Sequence, residues 1–324
     1  MQKYFSKIIF SLFFALIAGV IVFSSFDEKK VRTMEKIETE EQLGKALFFD
    51  SILSKDRTVS CASCHKPEFA FADSSAFSKG VGGKLGDRNT PSVMNISGRG
   101  ELFWDGRAND LEDQVKFPIE NPVEMNLPYD SAVARVSASQ KYEALFLKIY
   151  NAKPNRSNLA EAIAAFERTL ETEDTPNDRW LNEDEESGMT AQMIRGRELF
   201  TSDRTRCFDC HFTPDFTADE YRNIGLFDGK ALNDSGRYVV SKDPKDLGTF
   251  KTPGLRNVAI TAPYMHDGSF KTLREVIDYY DEPAKFMIGS INRDTILPEK
   301  IGLTESEKQD LEAFLHSLTD DRFK

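Results

Sequence analysis

The sequence predicts a mainly α-helical protein made of two similar halves in tandem, and three observations predict it. No long alternation of apolar and polar residues appears, so the pattern contains no extended sheet. Apolar residues instead recur at helical spacing, most clearly from Leu159 to Leu170. Finally, Leu43-Gly-Lys-Ala-Leu-Phe48 returns as Arg195-Gly-Arg-Glu-Leu-Phe200, and each copy stands ahead of a Cys-x-x-Cys-His string. A chain of 324 residues has the length of two ordinary domains. The expectation is one unit over residues 36–180 and a second over 181–324, each built around its own cysteine string and rich in irregular loops.

Taken in order, the chain begins with Lys3 and Lys7 and an apolar run from Ile8 to Phe23, broken only by Ser11 and Gly19. This reads as an export signal over residues 1–26, either a cleaved signal peptide or an N-terminal membrane anchor, and places the protein in the periplasm. Leu159 to Leu170 forms an amphipathic helix, and the acidic stretch Glu173 to Gly188 reads as the linker between units. Residues 213–252 are rich in Gly, Asp and Pro and should be irregular. Leu273 to Tyr280 and Glu305 to Leu318 read as two closing helices, the second with Thr304 as N-cap and Glu307 in a capping box.

Composition narrows the function classes. With 40% hydrophobic and 29% charged residues the chain should fold. Its net charge of −11 disfavours nucleic acid and anionic membrane surfaces, and favours basic or neutral partners such as small electron carriers.

All four cysteines lie in Cys61-Ala-Ser-Cys64-His65 and Cys207-Phe-Asp-Cys210-His211. Two thiols at this spacing meet the two vinyl groups of a porphyrin, and the following histidine reaches the iron, so each string predicts one covalent haem c. Zinc or disulfides would use the cysteines but leave the histidines unexplained. The other histidines are His266 and His316, and His316 lies on the polar side of the last helix. None lies between His65 and Trp104, so the first haem should be five-coordinate or carry water, open to a small oxidant.

The strings Leu102-Phe-Trp-Asp-Gly-Arg107, Asn121-Pro-Val-Glu-Met125, Leu255-Arg-Asn257 and Ala262-Pro-Tyr-Met-His-Asp-Gly268 closely resemble the bacterial di-haem cytochrome c peroxidases and their relative MauG. The resemblance runs from about residue 40 to 320. It implies two cytochrome c-like domains, a peroxidatic haem in the first, an electron-transfer haem in the second, and a calcium ion between them. By the same resemblance Glu124 and Gln114 are the distal pair over the peroxidatic haem, where a carboxylate can relay the proton that peroxide cleavage requires. Trp104 lies between the haems. Asn89, Thr261 and Pro263 are the calcium ligands, the last two through backbone carbonyls, an oxygen set that suits this ion.

Two departures from the classical peroxidases point toward MauG. The stretch Phe77 to Asn89 lacks the histidine that blocks their peroxidatic haem, so reductive gating is not expected. Tyr280 stands where they place the methionine ligand of the second haem, with Tyr279 and Met287 as fallbacks. The implied activity is reduction of hydrogen peroxide to water with electrons from a small cytochrome c or copper protein. The alternative is a MauG-like enzyme that uses peroxide-derived high-valent haem to oxidise residues of a partner protein. A non-catalytic electron carrier or peroxide sensor is a third reading, which the Glu124 and Gln114 pair opposes. The resemblance also leaves a homodimer open.

Overall fold

The computed structural model describes residues 36–172, 174–286 and 289–324. The expected export segment and the fallback ligand Met287 lie outside them. The described helices are α1 (Glu40–Phe48), α2 (Cys61–Cys64), α3 (Leu111–Gln114), α4 (Lys116–Glu120), α5 (Tyr129–Ser137), α6 (Gln140–Tyr150), α7 (Arg156–Glu167), α8 (Pro176–Leu181), α9 (Ala191–Phe200), α10 (Tyr238–Ser241), α11 (Leu273–Asp281) and α12 (Glu305–His316). Sheet among the described residues is limited to β1 (Tyr221–Arg222) paired antiparallel with β2 (Phe250–Lys251). The protein is thus mainly helical, as the periodicity predicts. No described helix is long and apolar enough to cross a membrane.

The recurring string has the same packing task both times. In α1, Gly44 faces α7 so closely that a Cβ would lie 1.8 Å from the Ala162 carbonyl oxygen. In α9, Gly196 faces α12, and a Cβ there would lie 1.9 Å from the Asp310 carbonyl oxygen. Only glycine permits either approach. Four residues further on, Phe48 meets Phe166 at 5.1 Å between ring centroids and Phe200 meets Phe314 at 5.0 Å. A third ring completes each cluster, Phe71 in the first and Phe216 in the second. Tilted aromatic contacts of this kind add to the stabilisation from burying their area.

Two further recurrences emerge from the backbone. Thr90-Pro-Ser-Val-Met-Asn95 parallels Thr252-Pro-Gly-Leu-Arg-Asn257, and both asparagines are left-handed at φ 56° and 61°. Asn95 N–H donates to Leu170 O and Asn257 N–H to Leu318 O, each at 2.9 Å, anchoring the chain that leaves α7 and α12. Likewise the bridge Leu102 to Ala108 parallels Tyr264 to Phe270, with left-handed Phe103 and Gly106 in one and Met265 and Gly268 in the other. The halves then clasp reciprocally. Asn89 N–H donates to His266 O at 2.7 Å, and Lys251 N–H donates to Trp104 O at 2.8 Å; Asn89 and Lys251 each precede the Thr-Pro pair.

The segment expected as a linker is a structural element. Thr175 caps α8, Pro176 occupies its first turn, and Asp178 takes the Arg256 guanidinium at 2.7 and 3.1 Å. Its acidic composition concealed a helix start of the Thr-Pro-x-Asp kind. The helix expected over Leu159–Leu170 begins earlier, at Arg156, because Asn155 caps it, and ends at Glu167. The capping box expected at Thr304 and Glu307 is present.

Candidate active site

Each cysteine string begins in a helical turn that sets the histidine beneath its aromatic cluster. His65 Nδ1 lies 3.0 Å from Phe71 O, and His211 Nδ1 lies 2.9 Å from Phe216 O. With a carbonyl as partner, Nδ1 carries the proton and Nε2 keeps its lone pair. Burial pushes both imidazoles below the usual histidine range, against the opposing Phe71 and Pro91 carbonyls for His65 and Phe216 and Pro253 carbonyls for His211. Both rings are therefore neutral and oriented, the form that binds iron. The four thiols are free, and burial raises all of them, Cys207 to about 11.

A continuous cavity of about 1070 Å³ reaches both histidines together with Cys64, Cys207 and Cys210. That volume is at the top of the range for one small-molecule site, about 300–1,000 Å³. The second half sets two thiols and a neutral imidazole at the cavity, and the first sets Cys64 and a neutral imidazole there with Cys61 one helical turn away, an arrangement that fits a covalently attached haem in each half.

The remaining predicted residues gather around the same space: Trp104, Gln114, Glu124, Tyr280, Asn89, Thr261 and Pro263 all line it. Glu124 is held by Asn121, whose amide donates to Oε1 at 2.5 Å. Burial pushes this carboxyl above the usual carboxylate range, and Asp87 adds to the shift; the Asn121 hydrogen bond and the Arg107 charge oppose it. The loop from Phe77 to Asn89 closes directly on this residue. Val81 N–H donates to Glu124 O at 2.7 Å, and a Cβ on Gly80 would lie 2.5 Å from that oxygen.

Trp104 Nε1 donates to Asn89 O at 2.8 Å. The Asn89 amide nitrogen faces the Ser75 and Ala76 carbonyls at 3.3 Å each, which turns its own oxygen the other way. Thr261 and Pro263 line the same cavity, and an amide oxygen with two backbone carbonyls is a donor set that suits a hard cation. Among the described residues no group of three or more His, Cys, Asp or Glu could hold a metal, so a cation here would rest on such neutral donors. His266 packs face to face on Phe250 at 3.7 Å.

The two tyrosines of α11 separate cleanly. Tyr279 is fully buried and its hydroxyl donates to Ile224 O at 2.5 Å. Tyr280 lines the cavity. Burial raises its phenol, and the Tyr279, Cys207 and Cys210 groups add to the shift, placing it beside the second cysteine string.

The structural repeat reveals residues that the sequence alone does not single out. Counting from the matched bridges, Gln114 corresponds to Val276 and Pro118 to Tyr280, and all four line the cavity. Where the second half offers a phenol, the first offers a proline ring with no donor atom. Arg107 also lines the cavity, its guanidinium 3.6 Å above the Phe103 ring. It lies in a recognised string, yet only the fold shows which way it faces. Glu167, at the end of α7, is buried with Oε2 lacking a partner, and burial pushes it up to about 8. Nothing in its helical pattern distinguishes it from a surface carboxylate.

Known proteins resemble this arrangement over nearly its whole length. The family model described as di-haem cytochrome c peroxidase matches residues 38–186. Methylamine utilization protein MauG of Methylorubrum extorquens is 38% identical over 282 residues, covering 85% of this chain and 77% of that protein. Cytochrome c peroxidase Ccp of Escherichia coli is 38% identical over 295 residues, 88% of this chain but 59% of that longer protein. The crystal structure of a MauG-like protein associated with microbial copper homeostasis superposes with a TM-score of 0.80 at 32% identity, covering 88% of this chain and 92% of that one. Sequence, fold and paired histidine sites therefore agree that the chain belongs to the di-haem cytochrome c peroxidase and MauG family, haem-dependent oxidoreductases with two c-type haems.

Proposed function

We propose that the protein is an exported di-haem peroxidase that reduces hydrogen peroxide to water, with His65 holding the peroxidatic haem and His211 the electron-transfer haem. Its two cytochrome c-like domains span residues 36–180 and 181–324, behind a signal or anchor over residues 1–26. The observation that carries this reading is the asymmetry between Pro118 and Tyr280 at matched positions. A haem held by His211 would have the Tyr280 phenol available to it, whereas a haem held by His65 would meet Pro118, which has no atom able to ligate.

Bound at His65, an iron porphyrin supplies the electrons that cleave the peroxide O–O bond. The chain's own residues manage the protons. Glu124, oriented by Asn121, takes the proton of the oxygen nearer the iron and returns it to the outer oxygen, which leaves as water with the electron pair of the broken bond. Gln114 offers an amide to the peroxide from the end of α3. Two electrons from a small cytochrome c or copper protein would enter on the His211 side and pass the Trp104 indole, and with two more protons would complete the second water. Asn89, Thr261 and Pro263 would hold a calcium ion beside this route. Stopped-flow turnover of peroxide with a reduced small cytochrome tests the proposal; a fully haem-loaded protein that does not turn over would refute it.

Tyr280 favours a second reading, in which a partner protein is the reductant, as in a MauG-like enzyme. Phenolate ligation lowers the potential of the second haem relative to methionine. The fully ferric protein would then consume peroxide without prior reduction and retain two oxidising equivalents, countable by titration with a one-electron reductant.

A further inference from the structure

We propose that Arg107 supplies a fixed positive charge beside Glu124 in the cavity on the His65 side, binding small anions there and stabilising the negative charge on the outer peroxide oxygen as the O–O bond breaks. The proposal rests on the peroxidatic reading of that haem and adds a residue to it.

The guanidinium is placed rigidly. It lies 3.6 Å above the Phe103 ring centroid, with Phe117 5.6 Å away, a stacking that suits a planar cation. Its Nη1 donates to both oxygens of Asp105, at 3.0 and 3.1 Å. Asp105 is also held by Arg88 at 2.7 Å, so it divides its charge between two arginines. Among the described residues, Nε and Nη2 of Arg107 have no hydrogen-bond partner, and the side chain lines the cavity with Gln114 and Glu124. The side chain is 30% exposed at the cavity wall, and donors fixed in advance stabilise developing charge without reorganising.

The repeat gives an independent argument. Arg107 follows Gly106 as Ser269 follows Gly268, and Ser269 is exposed on the half whose cavity holds Tyr280. At this matched position a cation occurs only in the half that lacks a ligating side chain at Pro118, although Arg222 and Arg293 line the cavity elsewhere in the other half. It also acts on Glu124, opposing the rise that burial and Asp87 impose; the other charged or ionisable neighbours of that carboxyl are the Cys61 and Cys64 sulfurs, neutral once the haem is attached. In the bond-breaking step Arg107 neither gains nor loses a proton. Glu124 moves the proton, the electron pair leaves with the outer oxygen, and the guanidinium stabilises the charge until water forms.

The test uses the ferric holoprotein with two probes, fluoride as an anion and imidazole as a neutral ligand. Arg107→Gln should weaken fluoride by about tenfold or more, the loss of one charge-assisted hydrogen bond, and leave imidazole unchanged. It should also slow the peroxide reaction by about 10²–10³ and move its acid limb to higher pH, as Glu124 loses the opposing charge. Equal effects on both probes, or none on fluoride, would overturn the proposal. If Arg107→Gln does not load haem, Arg107→Lys decides by the same comparison, since it keeps the charge but not the planar donors. A wild-type protein that binds neither fluoride nor peroxide would instead sink the peroxidatic reading itself.

Discussion

In the proposed relay Glu124 has to be ionised to accept a proton in a place where burial favours its neutral form. Its pKa lies above the carboxylate reference of 4.5, so the rate of the peroxide reaction should fall on acidification at a pH higher than that value. Glu124→Gln should slow the reaction by about 10²–10⁴ and abolish that acid limb, measured by stopped-flow absorbance across pH. Tyr280→Met should raise the potential of the second haem in a spectroelectrochemical titration, whereas an unchanged potential would remove Tyr280 from the iron. Glu167 makes a separate prediction about stability. Its folded pKa of about 8 exceeds its ordinary 4.5, so between these values the native state binds more protons than the unfolded one. Its contribution is then fully present below 4.5 and lost as pH rises through 8. Glu167→Gln should flatten that decline, an effect on the order of a few kcal/mol by denaturant titration on the alkaline side. At this scale the sequence was informative wherever chemistry requires contiguous residues, as in the cysteine strings. Pro118, Arg107 and Glu167 were not legible, because their meaning depends on which way a side chain faces after folding.

Elements carry the repeat, and glycine is the test of it. Gly44→Ala and Gly196→Ala each place a methyl group inside 2 Å of a helix carbonyl across the α1–α7 or α9–α12 contact. Each should destabilise by about 1–3 kcal/mol, visible as a lower denaturation midpoint, and the two effects should be similar because the contacts are. Helices with apolar periodicity and cap residues were readable in advance, down to Thr304 and Glu307. The α8 helix was not, since six residues are too few to establish a period and acidic neighbours imitate a linker. The bridges that match Leu102–Ala108 with Tyr264–Phe270 were hidden for another reason: backbone φ angles repeat there while side chains diverge.

At the scale of the molecule, the two halves share their helix pair, aromatic cluster, histidine anchor and Thr-Pro-x-x-x-Asn turn, and they clasp through the same bond in both directions. Function depends on where this symmetry is broken. Trp104 matches His266, Gln114 matches Val276, Arg107 matches Ser269 and Pro118 matches Tyr280, and in the proposed function the polar members belong to one haem and the phenol to the other. Electron paramagnetic resonance of the as-isolated ferric protein tests this division most directly. The predicted spectrum contains one high-spin iron, at His65, and one low-spin iron, at His211. Two low-spin signals of equal weight would contradict it, because both irons would then be closed by the protein.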